Sequence, residues 1–180
     1  MQTQTREEIE LELLLLRHRR GDATALPEVI KRFERPLFYF LRRMLRDESQ
    51  TWDAMQKTWL SVLANPPSEG NGRSLKVWLF RVARNCALNH LRDERRHDSH
   101  EMCGQSEIEE PTPRFDSSDA EEIHVALDQL EQRDREVLTL HFLESLSTRE
   151  LAEVLEIPQG TVKWRLHVAK KNLRTILEQK

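Results

Sequence analysis

Disulfides cannot hold this fold together, because 180 residues carry two cysteines, Cys86 and Cys103, far too few for a framework. A reducing cytosol is the expected home, so the chain is read as cytoplasmic. Uninterrupted apolar runs are also scarce. One candidate, Leu13 to Leu16, lies between Glu12 and Arg17 and falls well short of the roughly 20 residues a membrane span requires. The first residues, MQTQTREEIE, lack the basic-then-apolar order of a signal peptide. With 5 glycines, 1 tyrosine and few β-branched runs, sheets are disfavoured. Gly-rich phosphate loops and nucleophile motifs are missing as well, so catalysis and a bound cofactor are not expected.

What is abundant is charge, at 33% of residues, set in a Leu-, Glu- and Arg-rich background that favours helices. The net charge of -3 hides a strong pattern. From Arg73 to His97 seven Arg or Lys face two acids. From Asp98 to Glu122 nine acids face the single base Arg114. A second basic cluster follows: Lys163, Arg165, Lys170, Lys171 and Arg174, with no acid among them. Two positive faces separated by an acidic strip point to nucleic acid as the partner.

The spacing predicts an all-α chain of two small helical domains, residues 1–97 and 118–180, joined by a flexible acidic linker over 98–117. A first helix over about Arg6 to Arg20 places Ile9, Leu13 and Leu16 on one stripe, and Gly21 stops it. Asp22 can cap the next helix, with Leu26, Val29, Ile30 and Phe33 inward. Pro36 restarts or kinks the chain, and a further helix holds Trp52, Met55, Trp59 and Val62. Asn65 to Ser74 is irregular, being punctuated by Pro and Gly. Ser74 can cap a long helix on which Leu75, Leu79, Val82, Cys86 and Leu91 trace an apolar face. The linker holds Pro111 and Pro113 without sustained periodicity. Two capping boxes, Ser118 with Glu121 and Ser147 with Glu150, open later helices. His97, His100 and Cys103 are close in sequence, but a metal site needs a fourth ligand on a firm scaffold, so no metal is expected.

LSTRELAEVLEIPQGTVKWRLHVAKK has the layout of a helix-turn-helix. Small Ala152 permits a close helix crossing, Leu155 and Ile157 pack into the angle, and Pro158 suits the start of the next helix. Val162, Leu166 and Ala169 then face inward, leaving Thr161, Lys163, Trp164, Arg165 and His167 accessible. Long cationic donors suit the major groove, while Lys170, Lys171 and Arg174 suit backbone phosphates. A basic final helix also arises simply to complement the helix dipole; the helix-turn-helix spacing favours DNA.

The segment from ALDQLEQRDREVL through KKNLRTIL resembles region 4 of extracytoplasmic-function (ECF) sigma factors of the sigma-70 family. RGDATALPEVIKRFERPLFYFLRRML, WDAMQKTWLSVL and LKVWLFRVARNCALNHLRDERR resemble their region 2. The resemblance implies a non-enzymatic transcription initiation factor whose partners are promoter DNA and core RNA polymerase, through the β′ coiled coil and the β flap. Region 4 would read the −35 element. Region 2 would hold the opened −10 element through Trp78, Arg81, Arg84 and Asn85, with Trp78 or Phe80 also serving as core. Asp53 and Gln56 match the polymerase-docking helix, but Gln50, Trp52 and Lys57 replace acids expected there, which removes attraction to a basic partner. Phosphorylation of Thr51 by a Ser/Thr kinase would restore negative charge, Ser49 and Thr58 being weaker candidates; an anti-sigma factor is the other possible control. Glu156 stands where the family often has Gly, Trp164 where a small polar residue is usual, and Asn89 where Asp is common. The competing expectation is a helix-turn-helix regulator that binds duplex DNA without joining polymerase.

Overall fold

The computed structural model describes residues 6–64, 72–97 and 118–179. Four helices form the N-terminal unit: α1 (Arg6–Arg19), α2 (Ala25–Leu45), α3 (Glu48–Ala64) and α4 (Gly72–His97). Four more form the C-terminal unit: α5 (Ser118–Gln129), α6 (Gln132–Leu138), α7 (Thr148–Leu155) and α8 (Gln159–Glu178). A single π turn over Thr139–Leu143 continues α6. No strand occurs among the described residues, as composition predicts.

α1 ends where expected. Gly21 adopts φ +86, a left-handed conformation that glycine enters without steric cost. Its N–H donates to the His18 carbonyl at 2.9 Å, and Asp22 N donates to Arg17 O at 3.0 Å. The inward stripe differs from the one predicted. Leu11, Leu14 and Leu15 are buried, whereas Ile9, Leu13 and Leu16 face solvent, Leu13 at 57% exposure. Both stripes have helical spacing in this leucine-dense run, and packing against α2 and α4 selects one of them.

Pro36 lies inside one continuous α2, so it does not restart the chain. Asp22 serves as a tether rather than a cap. It accepts from Thr24 N at 2.8 Å and from Arg17 Nε at 2.8 Å, and Thr24 is the cap residue. Ser74 likewise falls within α4, which begins at Gly72. α3 is capped by Asp47, whose Oδ1 accepts from Gln50 N at 2.8 Å, a standard remedy for orphan donors at a helix start.

The N-terminal core is built from Val29, Phe33, Leu37, Phe40 and Leu41 of α2, Ala54 and Met55 of α3, and Leu75, Leu79, Phe80 and Ala83 of α4. Phe40 and Phe80 meet edge-on with centroids 5.5 Å apart. This core continues into Val137, Leu138, Leu140, Leu151, Val154 and Val162 of the C-terminal unit. The two units therefore dock on each other, α4 against α7 and α2 against α6. Residues 98–117, with His100 and Cys103, lie outside the described residues, as does most of the irregular stretch from Asn65. No cluster of metal-ligating side chains occurs among the described residues, and no helix there is long and apolar enough to cross a membrane.

Candidate nucleic-acid interface

The helix-turn-helix forms as its sequence dictates. The Ser147 hydroxyl accepts from Glu150 N at 3.3 Å while the Glu150 carboxylate accepts from Ser147 N at 2.7 Å, a complete capping box. The other predicted box, Ser118 with Glu121, involves side chains outside the described set, and Ser118 is the first helical residue of α5. At the turn Glu156 takes φ +56, and Ile157 N donates back to Ala152 O at 3.2 Å. A non-glycine residue pays about 1–2 kcal/mol in that region, which explains why glycine is the easier choice there.

α8 buries Val162, Leu166 and Ala169, so its outer face is fixed by periodicity. Lys163, Trp164, His167, Lys170, Lys171 and Arg174 are exposed, Trp164 at 65%, while Thr161 and Arg165 are half-buried. No carboxylate interrupts this face before Glu178. The N-terminal turn is steadied by Gln159 Nε2 donating to Thr148 Oγ1 at 2.9 Å. Lys170 Nζ sits 5.1 Å from the centre of the exposed Phe142 ring, and Asn172 Nδ2 donates to Asp134 at 2.6 Å.

The expected second site on α4 is only partly brought together. Trp78 is half-buried against the core, Phe80 is fully core, Arg81 is half-buried and Asn85 is exposed. Arg84 departs from expectation. Its Nε donates to Glu136 Oε1 at 2.7 Å, with both side chains largely out of water. Burial pushes the Glu136 pKa up, and Arg84 and Arg165 pull against that shift. Arg84 is thus engaged across the two units and unavailable to a ligand in this arrangement.

On α3, Asp53, Gln56 and Lys57 are exposed, and Trp52 is 50% exposed with its ring 4.6 Å from Phe38. Lys57 Nζ donates to His90 Nε2 at 3.1 Å. Thr51, the phosphorylation candidate, lies on the inward side of α3. It is fully buried, and its Oγ1 donates to the Asp47 carbonyl at 2.6 Å. Helical phase is the reason: Thr51 shares the inward face with Ala54, Met55 and Thr58. Thr58 is buried too, donating to Ala54 O at 2.7 Å.

Sequence reading missed the contacts between the units. Arg73 pairs with Glu150 and, at 3.0 Å, with Glu8; Lys76 pairs with Glu144 at 3.1 Å. Arg43 of α2 pairs with Asp128 and donates to His124 Nδ1 at 2.9 Å. Arginine has no acceptor, so Nδ1 must accept. The Tyr39 hydroxyl accepts from Arg43 Nε at 3.0 Å and reaches the same Nδ1. Burial first, and then Arg43, lowers the His124 pKa. Arg135, buried beside Arg46 and Arg43, falls to about 10, burial being the main cause. The charges were visible in the sequence, but partners 52 to 85 positions apart were not.

Comparison with known proteins agrees with this architecture. Residues 29–97 match the family model described as Sigma-70 region 2, and residues 120–173 match Sigma-70, region 4. The ECF RNA polymerase sigma factor SigL of Mycobacterium tuberculosis is 33% identical over 153 residues, 79% of this chain and 83% of that protein. The ECF sigma factor SigW of Bacillus subtilis is 24% identical over 172 residues, 87% and 90% of the two chains. Among solved structures, RpoE bound to the anti-sigma factor NepR from Bartonella quintana matches with TM-score 0.72 at 24% identity, over 85% of this chain and 96% of that one. CnrH in complex with the cytosolic domain of CnrY matches with TM-score 0.66 at 19% identity, over 95% and 99%.

Proposed function

The chain belongs to the ECF sigma factors of the sigma-70 family, and from that premise we propose how its surfaces divide the work of promoter-specific initiation. α8 enters the major groove of the −35 element, with Lys163, Trp164, Arg165 and His167 toward base edges and Thr161, Lys170 and Lys171 toward the backbone. α4 holds the opened −10 element with Trp78, Arg81, Arg84 and Asn85, as aromatic and cationic side chains do for unstacked strands. α3 docks on core polymerase through Asp53 and Gln56. Binding is the whole of this mechanism, and the bond-making chemistry belongs to the polymerase.

The observation that carries the reading is the acid-free outer face of α8 on a capped helix-turn-helix, set behind a region 2 unit in the family order. That second unit disfavours a plain duplex-binding regulator. Run-off transcription with core polymerase and a fork-shaped promoter tests it. A new start site in the presence of the chain supports the reading, and no start site under any condition rejects it.

Two narrower readings concern control. An anti-sigma partner is in keeping with the fold's likeness to RpoE, which was solved bound to the anti-sigma factor NepR. Control by phosphate on Thr51 requires the first turn of α3 to open, since the hydroxyl is buried and bonded to Asp47 O.

A further inference from the structure

Three cations on α4 meet three carboxylates of the C-terminal unit in order. Arg73, Lys76 and Arg84 are spaced three and eight positions apart. That spacing puts Arg73 and Arg84 within about 20° of each other around the axis, and Lys76 about 60° to one side. They form one stripe about 16 Å long. Glu150 from the start of α7 meets Arg73, Glu144 just after the π turn meets Lys76, and Glu136 of α6 meets Arg84. Lys76 also donates to the Glu144 carbonyl at 2.8 Å.

All three carboxylates are buried. A buried carboxylate is costly unless a cation meets it, and here the main cations come from the other unit. The same guanidinium and ammonium donors are matched to phosphate, because carboxylate and phosphate oxygens offer similar acceptor geometry. The docked arrangement therefore covers a ready-made anion track with anions of the chain's own.

We propose that the Arg73–Lys76–Arg84 stripe binds the phosphate backbone of promoter DNA, and that Glu150, Glu144 and Glu136 occupy it in place of phosphates while the two units are docked. The inference deepens the promoter-binding reading above and rests on it. DNA and the C-terminal carboxylates then compete for one surface, so strand binding and separation of the units are coupled equilibria. Other polar contacts between the units, among them Arg43 with Asp128, Arg46 with the Asp128 carbonyl and Tyr39 with His124, hold the docked form without using the stripe.

The test uses the full chain without polymerase. Wild type, the double variant Glu136→Gln/Glu144→Gln, and that double variant carrying Lys76→Gln are titrated with fork-junction DNA of arbitrary sequence over a salt series. Small-angle scattering reports the separation of the units. Each phosphate engaged adds about 0.7–0.9 to the slope of log K against log salt. Wild type and the double variant use the same stripe once bound, so they should share one slope. The double variant has lost two of the three competing carboxylates, so its affinity should be about tenfold higher. Its radius of gyration should increase, and Lys76→Gln should lower the slope by about one unit. A slope that Lys76→Gln leaves unchanged, expansion without tighter binding, or equal behaviour of all three chains overturns the proposal. If the double variant loses its helical circular dichroism, wild type decides: contrast-matched neutron scattering should show the protein expanding as DNA saturates it, and an unchanged radius overturns the proposal. Initiation at a promoter without use of the stripe rejects this inference alone. Use of the stripe without initiation rejects the sigma-factor assignment of roles alone.

Discussion

Glu150 is shared between Ser147 and Arg73: its Oε2 accepts from Ser147 N at 2.7 Å and from Arg73 Nη2 at 2.8 Å. One carboxylate thus closes the recognition motif and joins it to α4. Burial pushes its pKa up, but the Arg73 and Ser147 hydrogen bonds outweigh that and hold it below the ordinary carboxylate value.

The two roles can be separated by substitution. Glu150→Gln keeps a side chain able to close the capping box and gives up the ion pair, which contributes less than about 1 kcal/mol because Arg73 is partly solvated. Glu150→Ala loses the box as well, adding about 1 kcal/mol. Urea unfolding should place the midpoints in the order wild type, Gln, Ala, with unchanged slope. Equal midpoints for Gln and Ala would show that the cap contributes nothing.

Thr51 gives a second prediction, because its burial reverses the charge-mimic logic of an exposed site. Thr51→Val removes one hydrogen bond to Asp47 O and should cost about 1 kcal/mol. Thr51→Glu forces a carboxylate onto the buried inward face of α3, and should cost several kcal/mol or open the first turn of α3. Hydrogen exchange over Glu48–Met55 distinguishes the two outcomes. A Glu variant as stable as wild type and equally protected would mean that the hydroxyl lies at the surface in solution.

How much was legible follows from these residues. The helix-turn-helix could be read closely, since Val162, Leu166 and Ala169 recur at helical spacing and the Ser147 box is local. The first helix could be placed but not oriented, because Leu11 to Leu16 offers two apolar stripes and only a neighbouring helix chooses. Thr51 was singled out for its place beside Gln50 and Asp53, yet three positions on lies Ala54, on the same inward face. The docking of the two units left no local signature. Arg84 and Glu136 each read as a surface charge, and only tertiary structure pairs them.

His124 supplies the pH dependence. Burial, and then the Arg43 guanidinium, lower its folded pKa below the ordinary 6.5, with Asp128 opposing. The unfolded chain therefore binds the proton more readily, and stability falls as pH drops from about 6.5 through the folded value. Above 6.5 the contribution is fully present. Arg43, Arg46 and Asp128 carry the other charges facing this site. His124→Gln should flatten that part of the stability profile relative to wild type, as read by thermal melts between pH 5 and 8. Parallel profiles for the two chains would place the titration elsewhere.

Trp164 separates folding from recognition most cleanly. At 65% exposure it contributes little to the fold, so Trp164→Ala should shift stability by no more than about 0.5 kcal/mol. In the groove the indole offers a broad apolar face suited to a thymine methyl, and it cannot form the bidentate pair by which Lys163 or Arg165 would read guanine. Trp164→Ala should therefore cost about 1–3 kcal/mol at one promoter position, relaxing discrimination there while leaving the salt slope intact. Lys171→Ala should do the opposite, weakening all sequences alike and lowering the slope by about 1. Binding to a library of −35 variants at two salt concentrations measures both effects together. If Trp164→Ala weakens every sequence equally and Lys171→Ala alters preference, then α8 lies across the duplex in another orientation, with its C-terminal half toward the bases.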